Sequence, residues 1–130
     1  MKVKNICIVM ILSVGLVLFG CSSSEEPEIH EEPTISLSTE PATITAGDSV
    51  EIELSIEEHG MGGMSSLSLH GEMHLPDDTG LVDLDFHEST DHAGHYYSEY
   101  VFAIAGIYEL HCSFMHEGEN VEEVFTIDVQ

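Results

Sequence analysis

An alternation of apolar and polar side chains within residues 105–116 constrains the fold of this chain more than any other feature. Tyr108, Leu110, Cys112 and Phe114 share one parity, and the residues between them are mostly polar. Successive side chains of a β-strand point to opposite faces, so the pattern predicts a strand with one buried face. A polar second face is typical of an antiparallel sheet with one side open to solvent.

Six further segments alternate in the same way and are separated by turn-forming residues: 34–39, 50–56, 67–75, 81–86, 96–102 and 121–129. Seven such strands without a helical period are typical of an all-β, antiparallel β-sandwich of the immunoglobulin (Ig) type. Residues 57–65 hold three glycines and are predicted to be a loop. We expect the core to contain inward-facing residues of several strands, namely Tyr108, Leu110, Phe114, Ile52, Leu54 and Ile127.

Residues 1–20 have the features of a secretory leader. Lys2 and Lys4 precede an apolar run that ends just before Cys21. The run is about 14 residues long, whereas a membrane-spanning helix needs roughly 17–25. The segment is therefore interpreted as a signal peptide, with an uncleaved anchor as the alternative. Its end resembles a bacterial lipobox, in which the cysteine receives fatty acyl groups such as palmitate and becomes the mature N-terminus.

Two regions follow the leader. Residues 21–33 are acidic, contain two prolines and have little apolar content, so they are predicted to be a disordered tether. Residues 34–130 contain all seven alternating segments and are predicted to be one Ig-like domain. Together these features predict a lipoprotein that is extracytoplasmic and held at the cell envelope by its lipid anchor.

The charge of the chain is strongly one-sided. Its formal net charge is −23, and the only basic residues, Lys2 and Lys4, lie in the leader. Cleavage would remove both and take the charge to −25, because all 25 acidic residues follow Cys21. Such a surface cannot bind nucleic acid, which needs Lys and Arg at the phosphates. Mutual repulsion of the carboxylates should be relieved by salt or by bound cations.

The cysteines do not suggest a disulfide or an enzyme. Cys7 lies in the leader and Cys21 would carry lipid, which leaves Cys112 alone in the domain. His111 is adjacent to Cys112 on a predicted strand, so the two side chains should face opposite ways and cannot form a thiol–imidazole pair. No GxSxG, phosphate-loop or HExxH motif occurs. The sequence therefore predicts a protein that is not an enzyme.

Histidines and methionines are the candidate ligands. The chain has nine histidines and six methionines, and imidazole with thioether favours copper over hard cations. We expect a copper ion to be bound by a group of side chains from neighbouring strands and loops, with Met115 as the soft ligand and His92, His95 and His111 approaching one another near His74. His70 and His74 lie about 13 Å apart along one strand and cannot share an ion.

Other interpretations of these residues remain open. Met73 has the parity of a core residue and suits packing as well as ligation. A blue-copper site would need a late Cys, His and Met in that order, but here Met115 precedes His116. Aspartates near residues 77–85 offer oxygens for calcium, without an EF-hand loop.

Several short segments resemble those of a known family: Glu40-Pro41, Ala46-Gly47-Asp48, Met73-His74, Gly94-His95-Tyr96-Tyr97, Ala105–Leu110 and Phe125–Val129. On these segments residues 34–130 are similar to the YtkA-like lipoprotein domains, which are related to the FixH-like family. The resemblance implies a small Ig-like, membrane-tethered module outside the cytoplasm. In some members such modules are linked to copper handling or to assembly of respiratory oxidases.

Two functions of different classes follow from the sequence. In the first, a lipid-anchored Ig-like domain binds or passes copper outside the membrane through His and Met side chains. In the second, the domain binds no metal and docks one sheet face on a membrane-protein partner.

Overall fold

The computed structural model describes residues 32–130; the predicted signal peptide, Cys21 and nearly all of the tether lie outside the described residues. Within this range one short 3-10 helix, Pro76–Asp78, accompanies nine β-strands. The strands are β1 (Thr34–Glu40), β2 (Ser49–Glu58), β3 (Gly62–Gly63), β4 (His70–His74), β5 (Leu81–Leu84), β6 (His87–Glu88), β7 (His95–Val101), β8 (Gly106–His116) and β9 (Glu119–Val129). Across residues 32–130, no helix has the length and apolar character required to cross a membrane.

The strands form two antiparallel sheets that pack face to face. One sheet has the order β1-β2-β7-β6, with β3 paired to the C-terminal end of β2. The other sheet has the order β5-β4-β8-β9. These orders correspond to the ABED and C′CFG sheets of Ig domains. The predicted Ig-like β-sandwich is confirmed, and each of the seven predicted segments contains a strand.

The inward parity of the strands also agrees with the sequence pattern. Every residue expected in the core is buried, and so are Met73 and Cys112. Their neighbours along each strand face solvent, as the burial of β8 alternates residue by residue. Apolar side chains of both sheets thus form one core between the layers.

Two short strands were not predicted. Residues 57–65 were expected to be a loop, but β2 continues to Glu58, and Gly62 and Gly63 pair back onto it. Glycine makes this hairpin possible, because a Cβ on Gly63 would lie 2.0 Å from the carbonyl oxygen of Ala93. The strand β6 lies between the predicted strands 81–86 and 96–102, where no strand was expected, and it pairs with the start of β7.

A tyrosine corner lies at the crossing from β7 to β8. The hydroxyl of Tyr108 donates a hydrogen bond of 2.9 Å to the carbonyl oxygen of Ile104, a few residues upstream, as in Ig domains. The Phe102 ring packs edge-to-face on Tyr108 and on Tyr100, with centroid distances of 4.8 and 4.9 Å. This aromatic group fixes the point at which the chain leaves the first sheet and enters the second.

Candidate metal centre

The outer face of the sheet β5-β4-β8-β9 gathers histidines and carboxylates on three adjacent strands. His70, Glu72 and His74 alternate along β4 with buried residues, so all three face outward. Strand pairing places Glu72 opposite His111 of β8 on one side and Asp83 of β5 on the other. Side chains directly opposite one another in an antiparallel pair have Cβ atoms about 4.5–5.5 Å apart. Glu72 is therefore the centre of a polar group, which we call the Glu72 cluster and which contains His70, Glu72, His74, Asp83 and His111.

Two imidazoles pack together in this cluster. The rings of His74 and His111 stack with centroids 4.1 Å apart and an interplanar angle of 28°. Nε2 of His74 lies 3.1 Å from Oε1 of Glu72, at hydrogen-bond distance. Nε2 of His111 lies 3.6 Å from Oε2 of Glu109, longer than a hydrogen bond. That nitrogen is buried and has no hydrogen-bond partner within residues 32–130. The hydrogen bond that it would make with water in an exposed position is therefore not replaced.

Three members of the cluster have ligand atoms close enough to surround an ion. One ligand atom each of His70, Glu72 and Asp83 lies within 4.8 Å of the others. Ligands at about 2.0–2.2 Å from one ion are at most about 4.4 Å apart, so a small side-chain rotation would bring these atoms into range. A cavity of about 210 Å³ opens beside them, lined by His70, Glu72, His111, Cys112, Ser113, Glu122, Glu123 and Val124.

The donors and the surrounding charge both favour a cation. Imidazole nitrogen with carboxylate oxygen suits divalent ions such as Zn²⁺ and Cu²⁺. Glu72 has two oxygens, so one can accept a hydrogen bond from His74 while the other binds an ion. No Lys or Arg occurs in residues 32–130, so the negative potential of the face attracts cations without competition from a basic side chain.

The structure divides the histidines that were expected to converge. His74 and His111 are together, whereas His92 and His95 form a separate edge-to-face pair with centroids 5.6 Å apart. His95 lies in the first sheet next to buried Tyr96, so it faces the opposite side of the sandwich from His111. The expectation that His92, His95 and His111 approach one another is wrong, because the chain changes sheets between β7 and β8.

His95 has a different partner. Its Nδ1 lies 2.5 Å from Oε1 of Glu53 on the neighbouring strand β2. This hydrogen bond lowers the pKa of Glu53 from its ordinary value, against a smaller opposing effect of burial. A carboxylate with a depressed pKa stabilises the fold above its unfolded-state pKa, and that contribution is lost as pH falls through the folded-state value. The pair therefore joins β2 to β7 across the surface of the first sheet.

Met115 and Cys112 also lie apart from the Glu72 cluster. Met115 is 60% exposed near the end of β8, and residues four apart on a strand are about 13 Å apart, so it cannot share an ion with His111. Cys112 is buried on the inner face, where burial raises the pKa of its thiol to about 12. The expected placement of His111 and Cys112 on opposite faces is confirmed.

Sequence reasoning missed His70 and Glu72 as ligands and considered Asp83 only among the aspartates that offer oxygens for calcium. A signal was present, since Glu72 lies between His70 and His74 on one predicted outward face. The pair of histidines was rejected because of the distance between them, yet a carboxylate midway can contact both neighbours. Asp83 could not be assigned without knowing that β5 pairs with β4.

No protein-family model and no curated protein matches this chain.

Proposed function

We propose that this protein is an extracytoplasmic domain that binds a divalent transition-metal ion, foremost copper(II), at the Glu72 cluster. The observation that carries the proposal is the convergence of ligand atoms of His70, Glu72 and Asp83 on two paired strands, beside the stacked imidazoles of His74 and His111. At a given site of nitrogen and oxygen donors, Cu²⁺ binds more tightly than the other first-row divalent ions. Because Met115 lies apart from the cluster, the donor set favours Cu²⁺ over Cu⁺.

The proposed location follows from the N-terminal sequence. The leader, Cys21 and the acidic tether suit a lipoprotein anchored to a membrane outside the cytoplasm. The resemblance of residues 34–130 to YtkA-like domains supports the same location and a link to copper. A domain held at the envelope would receive or deliver ions there, in reach of a membrane-protein partner.

A second candidate function is a metal-free interaction module. The face that holds the Glu72 cluster also exposes apolar side chains, with Leu81, Ile107 and Val124 each at least half exposed. Val124 lies directly opposite His111 in the strand register. An apolar and acidic face of this kind could dock on a membrane-protein partner, and a metal titration separates the two functions.

Calorimetric titration of the purified protein with Cu²⁺ and Zn²⁺ tests the metal proposal. We expect one ion per chain at this cluster, with tighter binding of Cu²⁺ than of Zn²⁺. The triple variant His70→Ala/Glu72→Gln/His111→Ala should lose at least tenfold in Cu²⁺ affinity, or about 1.4 kcal/mol. All three side chains are at least partly exposed, so the metal-free melting temperature should change little.

His92→Ala is the matched control, since it removes an exposed histidine of the loop before β7, whose ring contacts His95 and not the Glu72 cluster. It should leave Cu²⁺ affinity unchanged. An equal loss in this variant would show diffuse attraction by the acidic surface instead of a site. If the parent protein binds no stoichiometric ion, the interaction module becomes the leading function.

Lipid attachment is tested by labelling cells with a radioactive fatty acid. Cys21→Ala should abolish the label, because no other cysteine lies at a cleavage-like boundary. Cys7→Ala, within the leader, should keep the label of the parent. Equal label on Cys21→Ala and the parent would refute the lipoprotein assignment.

A further inference from the structure

A second group of ligand-bearing side chains joins the two sheets at one end of the sandwich. Glu58 is the last residue of β2 in the first sheet, and His116 is the last residue of β8 in the second. Glu117 follows in the turn to β9. One ligand atom of each of these three residues lies within 4.8 Å of the others. None of the three belongs to the Glu72 cluster, so the group is a separate candidate site.

The imidazole of this group is well enclosed. The side chain of His116 is 18% exposed and that of Glu58 is 29% exposed, compared with 41% for His111 in the Glu72 cluster. Nε2 of His116 lies 3.9 Å from Oε1 of Glu58. This distance is too long for a hydrogen bond, but two ligands of one ion are separated by about 3–4.4 Å at bond lengths of 2.0–2.2 Å.

The backbone brings Glu117 to the same point. Glu117 and Gly118 both have positive φ, 50° and 88°, and connect β8 to β9 as a two-residue turn. Positive φ at both central residues is the requirement of a type I′ turn, which matches the twist of the hairpin. The turn reverses the chain directly after His116 and keeps the adjacent carboxylate beside it.

A cavity gives ions access to this end of the domain. It has a volume of about 770 Å³ and includes four carboxylate-bearing residues among its lining: Glu32, Pro33, His116, Glu117, Glu119, Asn120, Val121 and Glu122. Glu32 and Pro33 are the first described residues, so the cavity lies where the tether enters the domain. Clustered carboxylates at a concave surface raise the local concentration of cations.

We infer that Glu58, His116 and Glu117 bind a second divalent cation of the Zn²⁺ class, which clamps the two sheets together at the tether end. Two carboxylates and one imidazole are three protein ligands, and water can complete a tetrahedral shell. One imidazole nitrogen and two carboxylate oxygens are a ligand set that suits Zn²⁺. Because the ligands come from different sheets, the unfolded chain lacks the site, and binding must stabilise the folded state.

The inference is tested with Zn²⁺ in the triple variant, which removes His70 and the Glu72 carboxylate from the Glu72 cluster, so that failure of the proposed function does not affect the outcome. We expect Zn²⁺ to raise the melting temperature of this background and to shift the NMR signals of the His116 ring. Adding Glu58→Gln and His116→Gln should weaken Zn²⁺ binding at least tenfold. The thermal shift at a fixed Zn²⁺ concentration should fall accordingly.

Glu119→Gln is the matched control, because it removes one negative charge from the same cavity and keeps all three proposed ligands. It should keep Zn²⁺ affinity within about twofold if ligation, not summed charge, holds the ion. An equal loss in Glu119→Gln would reduce the site to diffuse attraction. Unmoved His116 signals on Zn²⁺ addition would show a histidine–glutamate ion pair only, and this measurement does not depend on how the added Glu58→Gln and His116→Gln substitutions affect folding.

Discussion

Replacing Phe102 with alanine is expected to destabilise the domain by about 3–5 kcal/mol, the usual cost of deleting a fully buried aromatic ring. Phe102 has no exposed surface, and its ring packs edge-to-face on both Tyr100 and Tyr108. The variant loses these contacts and leaves a cavity beside the tyrosine corner. In a domain of this size, 1 kcal/mol corresponds to roughly 4–8 °C, so the melting temperature should fall by roughly 12–40 °C.

Val101→Ala is the neighbouring control, because its side chain is 53% exposed on the other face of β7. Its effect should stay within about 0.5 kcal/mol in either direction, as for most surface substitutions. Calorimetry or circular dichroism at fixed salt measures both variants. Similar melting temperatures for Phe102→Ala and Val101→Ala would contradict the assignment of Phe102 to the core between the sheets.

Added salt should stabilise this protein markedly. All 25 acidic residues follow Cys21, and the only Lys and Arg side chains are Lys2 and Lys4 in the leader. Raising ionic strength from 0.01 to 0.1 M shortens the screening length from about 30 to 10 Å, which weakens repulsion across the whole domain. Each 1 kcal/mol of relieved repulsion should raise the melting temperature by roughly 4–8 °C.

The experiment is a series of melts in NaCl at pH 7 with a chelator present, so that bound divalent ions do not neutralise the carboxylates beforehand. Near pH 3.5, below the ordinary Asp and Glu pKa values of about 3.9–4.3, the salt effect should shrink. A flat melting temperature at pH 7 with chelator would contradict the view that carboxylate repulsion limits stability. A rise that disappears when the chelator is omitted would be expected if divalent ions occupy the acidic sites.

Seven of the nine strands and their buried faces followed from the sequence by itself. Tyr108, Leu110 and Phe114 were placed in the core because the side-chain period of a strand is local and can be read without knowing its neighbours. The same local rule put Cys112 inside and His111 outside. The absence of Lys and Arg after the leader also needs no structure, and it explains why every candidate site on the surface is one for cations.

The grouping of the outward side chains was decided only by the tertiary structure. His95 and His111 are near in sequence, but the crossing at the tyrosine corner puts them on opposite sides of the sandwich. Asp83 meets Glu72 through the pairing of β5 with β4, and Glu58 meets His116 because two sheets end at the same place. Alternation depends on the backbone of one strand, whereas pairing and sheet packing depend on burying apolar surface from distant parts of the chain. The sequence therefore specified which side chains face outward, and the packing of the two sheets determined which of them share a site.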